Sequence, residues 1–422
     1  MSFQVKNQVL ANGLTVVKIP MATESVTAMV MVRVGSRDES AKINGISHFL
    51  EHMVFKGTKK WPTPMEMNRV IESVGGVFNA FTSQEMTAFW MKIGKKHLEL
   101  GLEFLHQAVF EPLLPADELE KERGVILEEI KMYEDNPMRN VAQSFVSQVY
   151  SATQLGQLVI GPAENIKSLG HKEFVKYLDY WYQPANMVLV LAGGGLETAE
   201  KQIEEVFVSN RKGKIKFTDK PNQVVVKQEK ARVKLVKKPI QQAHFCLGME
   251  TFKSTDPDRY NLMMLNTILG GNTSSRLWDE IREKRGLVYY VRSSIDLLLD
   301  TGYLVTQAGC DAKRVDEAIK VVRGEYQKIE TVSEVELKRA KEYLKGRIDL
   351  SLEDSQSVAN LFGENLLMEN EIRTVEKIKA KIDEVSVAGI SKTAKRVFEE
   401  NKLNLTALGD FKDKARFEKL VG

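Results

Sequence analysis

The sequence predicts an α+β protein built from two copies of one layered plan, each an antiparallel-rich sheet packed with helices. A constant offset of 216 residues carries the prediction: it lays the apolar string AMVMV (28–32) over HFCLG (244–248), and NMVLVLAGG (186–194) over KLNLTALGD (402–410). Two copies of about 200 residues each are favoured by such an internal repeat over one large domain. The second observation is composition, since 422 residues with 43% hydrophobic and 28% charged side chains are enough for two cores with ordinary globular surfaces. The third is the mixture of strand-like and helix-like periods within each copy, which points to helices packed on a mostly antiparallel sheet. The division that follows is a first domain over 1–212, a basic linker over 213–232, and a second domain over 233–422.

The elements of the first copy are legible in order. NGLTVV, with its Asn12-Gly13 turn, reads as a hairpin, and AMVMV follows as a buried strand. Helices are expected around 44–56, 64–73, 96–109 and 116–134, separated by turn-forming residues. Between them the apolar string Met86 to Met91, with Phe89 and Trp90, reads as a buried strand. The helix ADELEKERGVILEEIKMYED (116–135) is amphipathic, with Val125, Ile126 and Ile130 on its apolar side and Glu122 and Glu129 sharing another face seven residues apart. In the second copy, Gly270-Gly271 before Asn272 and Thr273 reads as a turn that opens a further helix carrying Arg282.

The string HFLEH (48–52) puts His48, Glu51 and His52 at i, i+3 and i+4, hence on one helical face. It is the inverted form of H-E-x-x-H. In that arrangement two neutral imidazoles hold Zn²⁺, and the intervening Glu deprotonates water at the metal instead of binding it. A catalytic zinc ordinarily takes a third protein ligand and keeps one position open. The charged helix 116–135 offers carboxylates for that place, with Glu122 and Glu129 on one face.

HFLEH followed after 76 residues by Glu129, with Glu122 one heptad earlier, resembles the pitrilysin/insulinase family of inverted-motif zinc peptidases, in its bacterial processing-peptidase-like branch. The resemblance implies that Glu129 is the third zinc ligand, with Glu128 as the rival, and that Glu122 is a supporting acid. VGGVFNAFTSQEMTAFWMKI (74–93) resembles the family's substrate-binding edge strand, where the pair matching Asn79 and Ala80 holds a peptide backbone. An exposed edge suits this role, because an extended peptide can add to it as one more strand. SSRLWDEIREKRGLVYYV (274–291) matches the family's Arg-Tyr element, with Arg282 and Tyr289 seven residues apart. A guanidinium anchors carbonyl oxygens and a phenol donates to an oxyanion, so both residue types fit carbonyl chemistry independently of the likeness.

What the resemblance implies is a zinc-dependent endopeptidase with one Zn²⁺ per chain, acting on peptides or unfolded segments inside a closed chamber, with Glu51 as general base. The implied fold is a half-shell of a clamshell. Since the chain carries both the zinc motif and the Arg-Tyr element, a homodimer with composite sites is expected. A dedicated precursor- or targeting-peptide processing peptidase is the alternative. A non-catalytic core or scaffold subunit is the other, and it is disfavoured because such subunits lose zinc ligands. The 216-residue offset maps 48–52 onto Met264, Leu265, Asn266, Thr267 and Ile268, and the region of Glu129 onto Lys345 to Arg347. The second copy is therefore expected to keep the fold without the metal.

Other features exclude other functions. The net charge of +3 gives no global pull toward nucleic acid. The basic stretch 211–238 holds eleven Lys or Arg against Asp219 and Glu229, but Phe217 is its only aromatic residue, so it reads as a solvated linker running into the first strand of the second domain. The beginning MSFQVKNQVLANGLTVVKI shows no secretory pattern and no run reaches the ~18 apolar residues of a membrane span, which makes a cytoplasmic protein the expectation. Cys246 and Cys310 read as buried packing residues, and His97, His106, His171 and His244 as isolated positions without carboxylates at metal spacing. Gly193 to Gly195 follows a strand but lacks the spacing of a nucleotide loop.

Overall fold

The computed structural model describes residues 3–197, 199–207, 215–219 and 223–422. Part of the expected linker, at 213–214 and 220–222, lies outside the described residues, as does the domain boundary at 212. Two compact units emerge, one made of Met1–Ile130, Gln157–Asn222 and Ile348–Glu376, the other of Lys131–Gly156, Gln223–Arg347 and Lys377–Gly422.

The first unit holds a six-stranded sheet. Its strands are β1 (Lys6–Val9), β2 (Thr15–Pro20), β3 (Ser25–Val32), β4 (Val77–Thr82), β5 (Thr87–Gly94) and β6 (Met187–Gly193), in the order β1-β2-β6-β3-β5-β4. The Asn12-Gly13 turn closes the expected β1–β2 hairpin, and AMVMV lies in β3, whose two neighbours β5 and β6 both run antiparallel to it. Only β2 and β6 pair in parallel. Burial on both faces explains why β3 and β6 are nearly continuous apolar runs instead of alternating ones.

The second unit holds a five-stranded sheet of β7 (Arg232–Lys237), β8 (Gln242–Thr251), β9 (Val288–Leu297), β10 (Gly302–Asp311) and β11 (Asn404–Gly409), ordered β7-β11-β8-β10-β9. The repeat carries β2, β3, β4, β5 and β6 over β7, β8, β9, β10 and β11 in turn, and the two sheets have the same strand order once β1 is set aside. The basic stretch runs, as expected, into the first strand of the second sheet, the edge strand β7, and Phe217 packs against the core of the first sheet.

Four helices fall close to their expected places, α1 (Ile46–Met53), α2 (Pro64–Glu72), α3 (Leu98–Phe110) and α4 (Ala116–Asp135), and a further one, α5 (Pro137–Val149), follows where none was expected. Two of the helices are exchanged. The helix Ser355–Glu369 belongs to the second copy by sequence, yet Val358, Phe362 and Leu366 pack on Val17, Met29, Met31 and Val190 of the first sheet. Reciprocally, α5 belongs to the first copy but buries Val141, Phe145 and Val149 against Cys246 and Leu408 of the second sheet. Gly363 permits the close approach, since a Cβ there would stand 2.6 Å from Met31 Sδ and 2.7 Å from Val190 Cγ2. The contiguous division into 1–212, 213–232 and 233–422 thus describes the repeat, while the compact units differ from it by this exchange of amphipathic segments. Cys246 and Cys310 are free and buried, as expected.

Candidate metal centre and substrate elements

The helix α1 forms because Ile46, Phe49, Leu50 and Met53 bury completely along one stripe, which leaves His48, Glu51 and His52 on another face. Each such burial contributes roughly 1.5–3 kcal/mol. Its N-terminal residue Gly45 adopts φ +101°, a conformation that favours glycine, and has no side chain to cap the helix. The cap comes instead from Glu39. Its carboxylate, 1% exposed, accepts from the N–H groups of Gly45 and Ser47 and from Asn44 Nδ2, each at 2.8 Å. Burial raises the Glu39 carboxyl above its ordinary value, against the pull of these donors.

In α4, Leu119, Ile126 and Ile130 are buried as an apolar side, but Val125 is 51% exposed, contrary to the expected pattern. The stripe that packs is 119, 126 and 130, and Glu122 shares in its burial at 6% exposed. Arg123 anchors the helix by donating to the Leu169 carbonyl at 2.8 Å and lying over the Phe49 ring at 5.7 Å.

These two helices bring His48, His52 and Glu129 together. Glu129 Oε2 lies 3.7 Å from His48 Nε2 and 3.8 Å from His52 Nε2, and one ligand atom of each residue falls within 4.8 Å of the others. A tetrahedral zinc with ligands at about 2.0–2.1 Å spaces its donors by roughly 3.3 Å, so the two spacings from Glu129 fit the ion with only a small contraction. The cluster holds Glu129 and not the neighbouring Glu128. His52 Nδ1 is 2.8 Å from Glu122 Oε1, so donating to that carboxylate fixes the tautomer in which Nε2 keeps its lone pair. Lys56 Nζ, 2.6 Å from Glu122 Oε2, holds the same carboxylate from its other side.

Electrostatics differ between the two imidazoles. Burial and the adjacent His52 push His48 down to about 4, which keeps it a neutral lone-pair donor at ordinary pH. Burial also disfavours the charged form of His52, but the Glu122 hydrogen bond and the carboxylates of Glu51, Glu122 and Glu129 outweigh it and raise His52. Burial lifts Glu51 above the usual carboxylate range, with partial relief from Thr82, whose hydroxyl donates to Glu51 Oε2 at 2.5 Å. Glu122 is desolvated too, yet His52 and Lys56 bring it below its ordinary value.

The segment 74–93 is a hairpin, β4 and β5, and not one strand. Of these two strands only β4 lies at a sheet edge, because β5 inserts between it and β3. Asn79 and Ala80 lie on that edge strand, with Ala80 N–H donating to Asn79 Oδ1 at 2.8 Å. Met86, just before β5, and the β5 residues through Met91 are buried except for half-buried Trp90, as expected.

Arg282 and Tyr289 are placed in the second unit. Arg282 sits in a π-helical turn, Trp278–Glu283, and Tyr289 on β9, so the element is a turn and strand and not a continuous helix. The two are adjacent, since Arg282 Nη1 donates to the carbonyls of Val288 at 2.6 Å and Tyr289 at 3.1 Å. The Tyr289 side chain is exposed. Sequence reasoning missed Glu39, Lys56 and Thr82. A lone acid nine residues before His48 carries no local signal, whereas Thr82, three residues after Asn79, stood inside a segment already singled out.

Among the described residues, His48, His52 and Glu129 form the one cluster suited to a metal, and the helix Arg259–Gly270, where the repeat places 48–52, has none. Residues 15–163 match the family described as Insulinase (Peptidase family M16), and residues 168–344 match the Peptidase M16 inactive domain. The chain is 33% identical to a Bacillus subtilis protein named uncharacterized zinc protease YmxG, across 94% of this chain and 96% of that one. It is 31% identical to the mouse (Mus musculus) mitochondrial-processing peptidase subunit beta, across 95% of this chain and 83% of that one. A protease from Helicobacter pylori superposes with a TM-score of 0.89 at 25% identity, covering 97% of this chain and 100% of that chain. The chain belongs to peptidase family M16, a family of zinc proteases, in its bacterial processing-like branch. No described helix is long and apolar enough to cross a membrane.

Proposed function

We propose that the chain is a zinc-dependent endopeptidase that hydrolyses peptides or unfolded polypeptide segments in a closed chamber, with one zinc held by His48, His52 and Glu129. The observation that carries the reading is the convergence of those three donors beside a half-buried carboxylate, Glu51, that is not itself part of the donor cluster. Zinc, when bound, supplies a Lewis acid that polarises a carbonyl and makes water easier to deprotonate. Glu51 takes a proton from the attacking water as its oxygen bonds to the scissile carbonyl carbon. The same carboxyl returns a proton to the leaving amine as the C–N bond breaks. The elevated affinity of Glu51 for protons suits both halves of that exchange. Tyr289 donates its phenolic hydrogen to the oxyanion, and Arg282, which uses only Nη1 on its own backbone, has Nε and Nη2 for substrate carbonyls. The peptide adds to β4 along Asn79 and Ala80. Glu122 supports the site by orienting His52.

We place two such chains in a homodimer whose sites are composite, and we assign it to the cytoplasm, where buried free thiols such as Cys246 and Cys310 are stable. The likeness to the mitochondrial-processing subunit favours a second reading, the trimming of precursor peptides. Comparing the N-termini of cellular proteins with and without the enzyme separates trimming from general degradation.

The test of the chemistry is Glu51→Gln. Gln is nearly isosteric and position 51 is not a ligand, so the variant should keep about one zinc per chain while turnover on an internally quenched peptide falls by several orders of magnitude. Wild-type turnover, or loss of zinc, would refute the assignment.

A further inference from the structure

The base at Glu51 is carried on a short helix, and a carboxylate on a helix can rotate about its own χ angles. Something must fix which oxygen faces the water. Thr82 Oγ1 donates to Glu51 Oε2 at 2.5 Å, from the last residue of β4. A threonine hydroxyl has one hydrogen to give, so this contact commits Oε2 and leaves Oε1 to receive a proton. We propose that Thr82 is a positioning residue for the general base, acting through the orientation of the Glu51 carboxylate. The proposal rests on the reading of Glu51 as base.

The geometry around the pair supports the role. Residues 82, 80 and 78 share one face of β4, and on that face Phe78 packs against Phe55, just beyond α1, with ring centroids 4.9 Å apart. Thr82 thus faces the metal-binding helix, while the strand's outer edge, the proposed peptide-pairing side, is at right angles to it. The hairpin end is itself fastened. Ser36 N–H donates to the Ser83 carbonyl at 3.2 Å, Arg37 N–H donates to the Gln84 carbonyl at 2.9 Å, and the Arg37 guanidinium pairs with buried Glu85. The same loop supplies Glu39, which caps α1. One loop, 35–39, therefore sets both the strand end that carries Thr82 and the helix start that precedes Glu51. A side chain held from two sides in this way is the arrangement expected for orienting a reacting group to within a fraction of an ångström.

The test compares Thr82→Val, which keeps the shape and removes the donor, with Thr82→Ser, which restores the donor. With an internally quenched peptide that the wild type cleaves, Thr82→Val should lower kcat about ten- to a hundredfold with KM within about twofold and zinc content unchanged. Thr82→Ser should recover most of kcat. In single-turnover cleavage, adding Thr82→Val to Glu51→Gln should cost no further rate, because the residue acts only through Glu51. A kcat within twofold of wild type in Thr82→Val, a change confined to KM, loss of zinc, no recovery in Thr82→Ser, or a full additional loss in the double variant would each overturn the proposal. Should Thr82→Val not fold, a Thr82→Ala variant takes its place with the same expectations. Failure of the base assignment would be seen separately, as an active Glu51→Gln single variant.

Discussion

At the scale of single residues, the sharpest choice is between Glu128 and Glu129, which sequence alone leaves as rivals. On a helix they point about 100° apart, so only one can share a face with Glu122. Glu129 Oε2 stands within 3.8 Å of both imidazoles, whereas Glu128 is exposed. Glu129→Gln should therefore weaken metal retention, measured as zinc remaining after dialysis against a chelator, because a charged donor is replaced by a neutral amide. Glu128→Gln should retain zinc as the wild type does. The reverse pattern would show that Glu128 is the ligand. His48, Glu51 and His52 were readable because their chemistry is written in five consecutive residues of fixed helical phase. Glu39 was not, because its job is to meet backbone N–H groups six and eight positions later in a loop whose path no local pattern dictates. Val125 was misplaced for a related reason: an apolar residue beside a stripe is assigned to it by periodicity, but which turn faces the core depends on what α4 packs against.

At the scale of elements, strands were easier to recognise than helix partners. The runs at 28–32 and 186–194 are apolar throughout because both faces of β3 and β6 are covered, and no solvent-facing reading competes. An amphipathic helix, by contrast, states that one face will be buried and not against which sheet. The exchange of α5 with the helix Ser355–Glu369 is invisible for that reason, although the two occupy matching places in the repeat. It has a measurable consequence. Phe362 is fully buried on the sheet of the first unit, so Phe362→Ala should destabilise the zinc-bearing unit by about 3–5 kcal/mol despite lying more than 200 residues downstream of Glu129 in the chain. Denaturant titration followed by zinc release reads the effect directly. A fragment ending at 212 should lack a cooperative transition, and appending 348–376 should restore it, because Val17, Met29, Met31 and Val190 lose their cover in the fragment. Cooperative, zinc-binding behaviour of 1–212 alone would show that the exchanged helix contributes little.

At the scale of the whole molecule, the repeat carries a metal-suited cluster in one copy alone among the described residues. The zinc donors and Glu51 lie in one unit, and Arg282 and Tyr289 in the other, at the strand β9 that the repeat matches to β4. Under the proposed function, Arg282 and Tyr289 serve either the zinc of their own chain or that of a partner. In the proposed homodimer each site combines one chain's zinc with the partner's Arg-Tyr element, and mixing variants tests it. Glu51→Gln removes the base at both sites. Arg282→Ala removes the carbonyl clamp at both, and also frees the Val288 and Tyr289 carbonyls that Arg282 holds. Either homodimer should be nearly inactive. In a mixed dimer, the intact zinc centre of the Arg282→Ala chain meets the intact Arg282 and Tyr289 of the Glu51→Gln chain, so one of two sites is whole. Purified mixed dimers should regain about half of wild-type turnover, and a random mixture less, in proportion to the mixed dimers formed. If the element served its own chain, both sites of every mixed dimer would stay broken. No recovery from a verified mixed dimer would rule out the shared site, and a chain that sediments as a monomer while fully active would rule out the dimer itself.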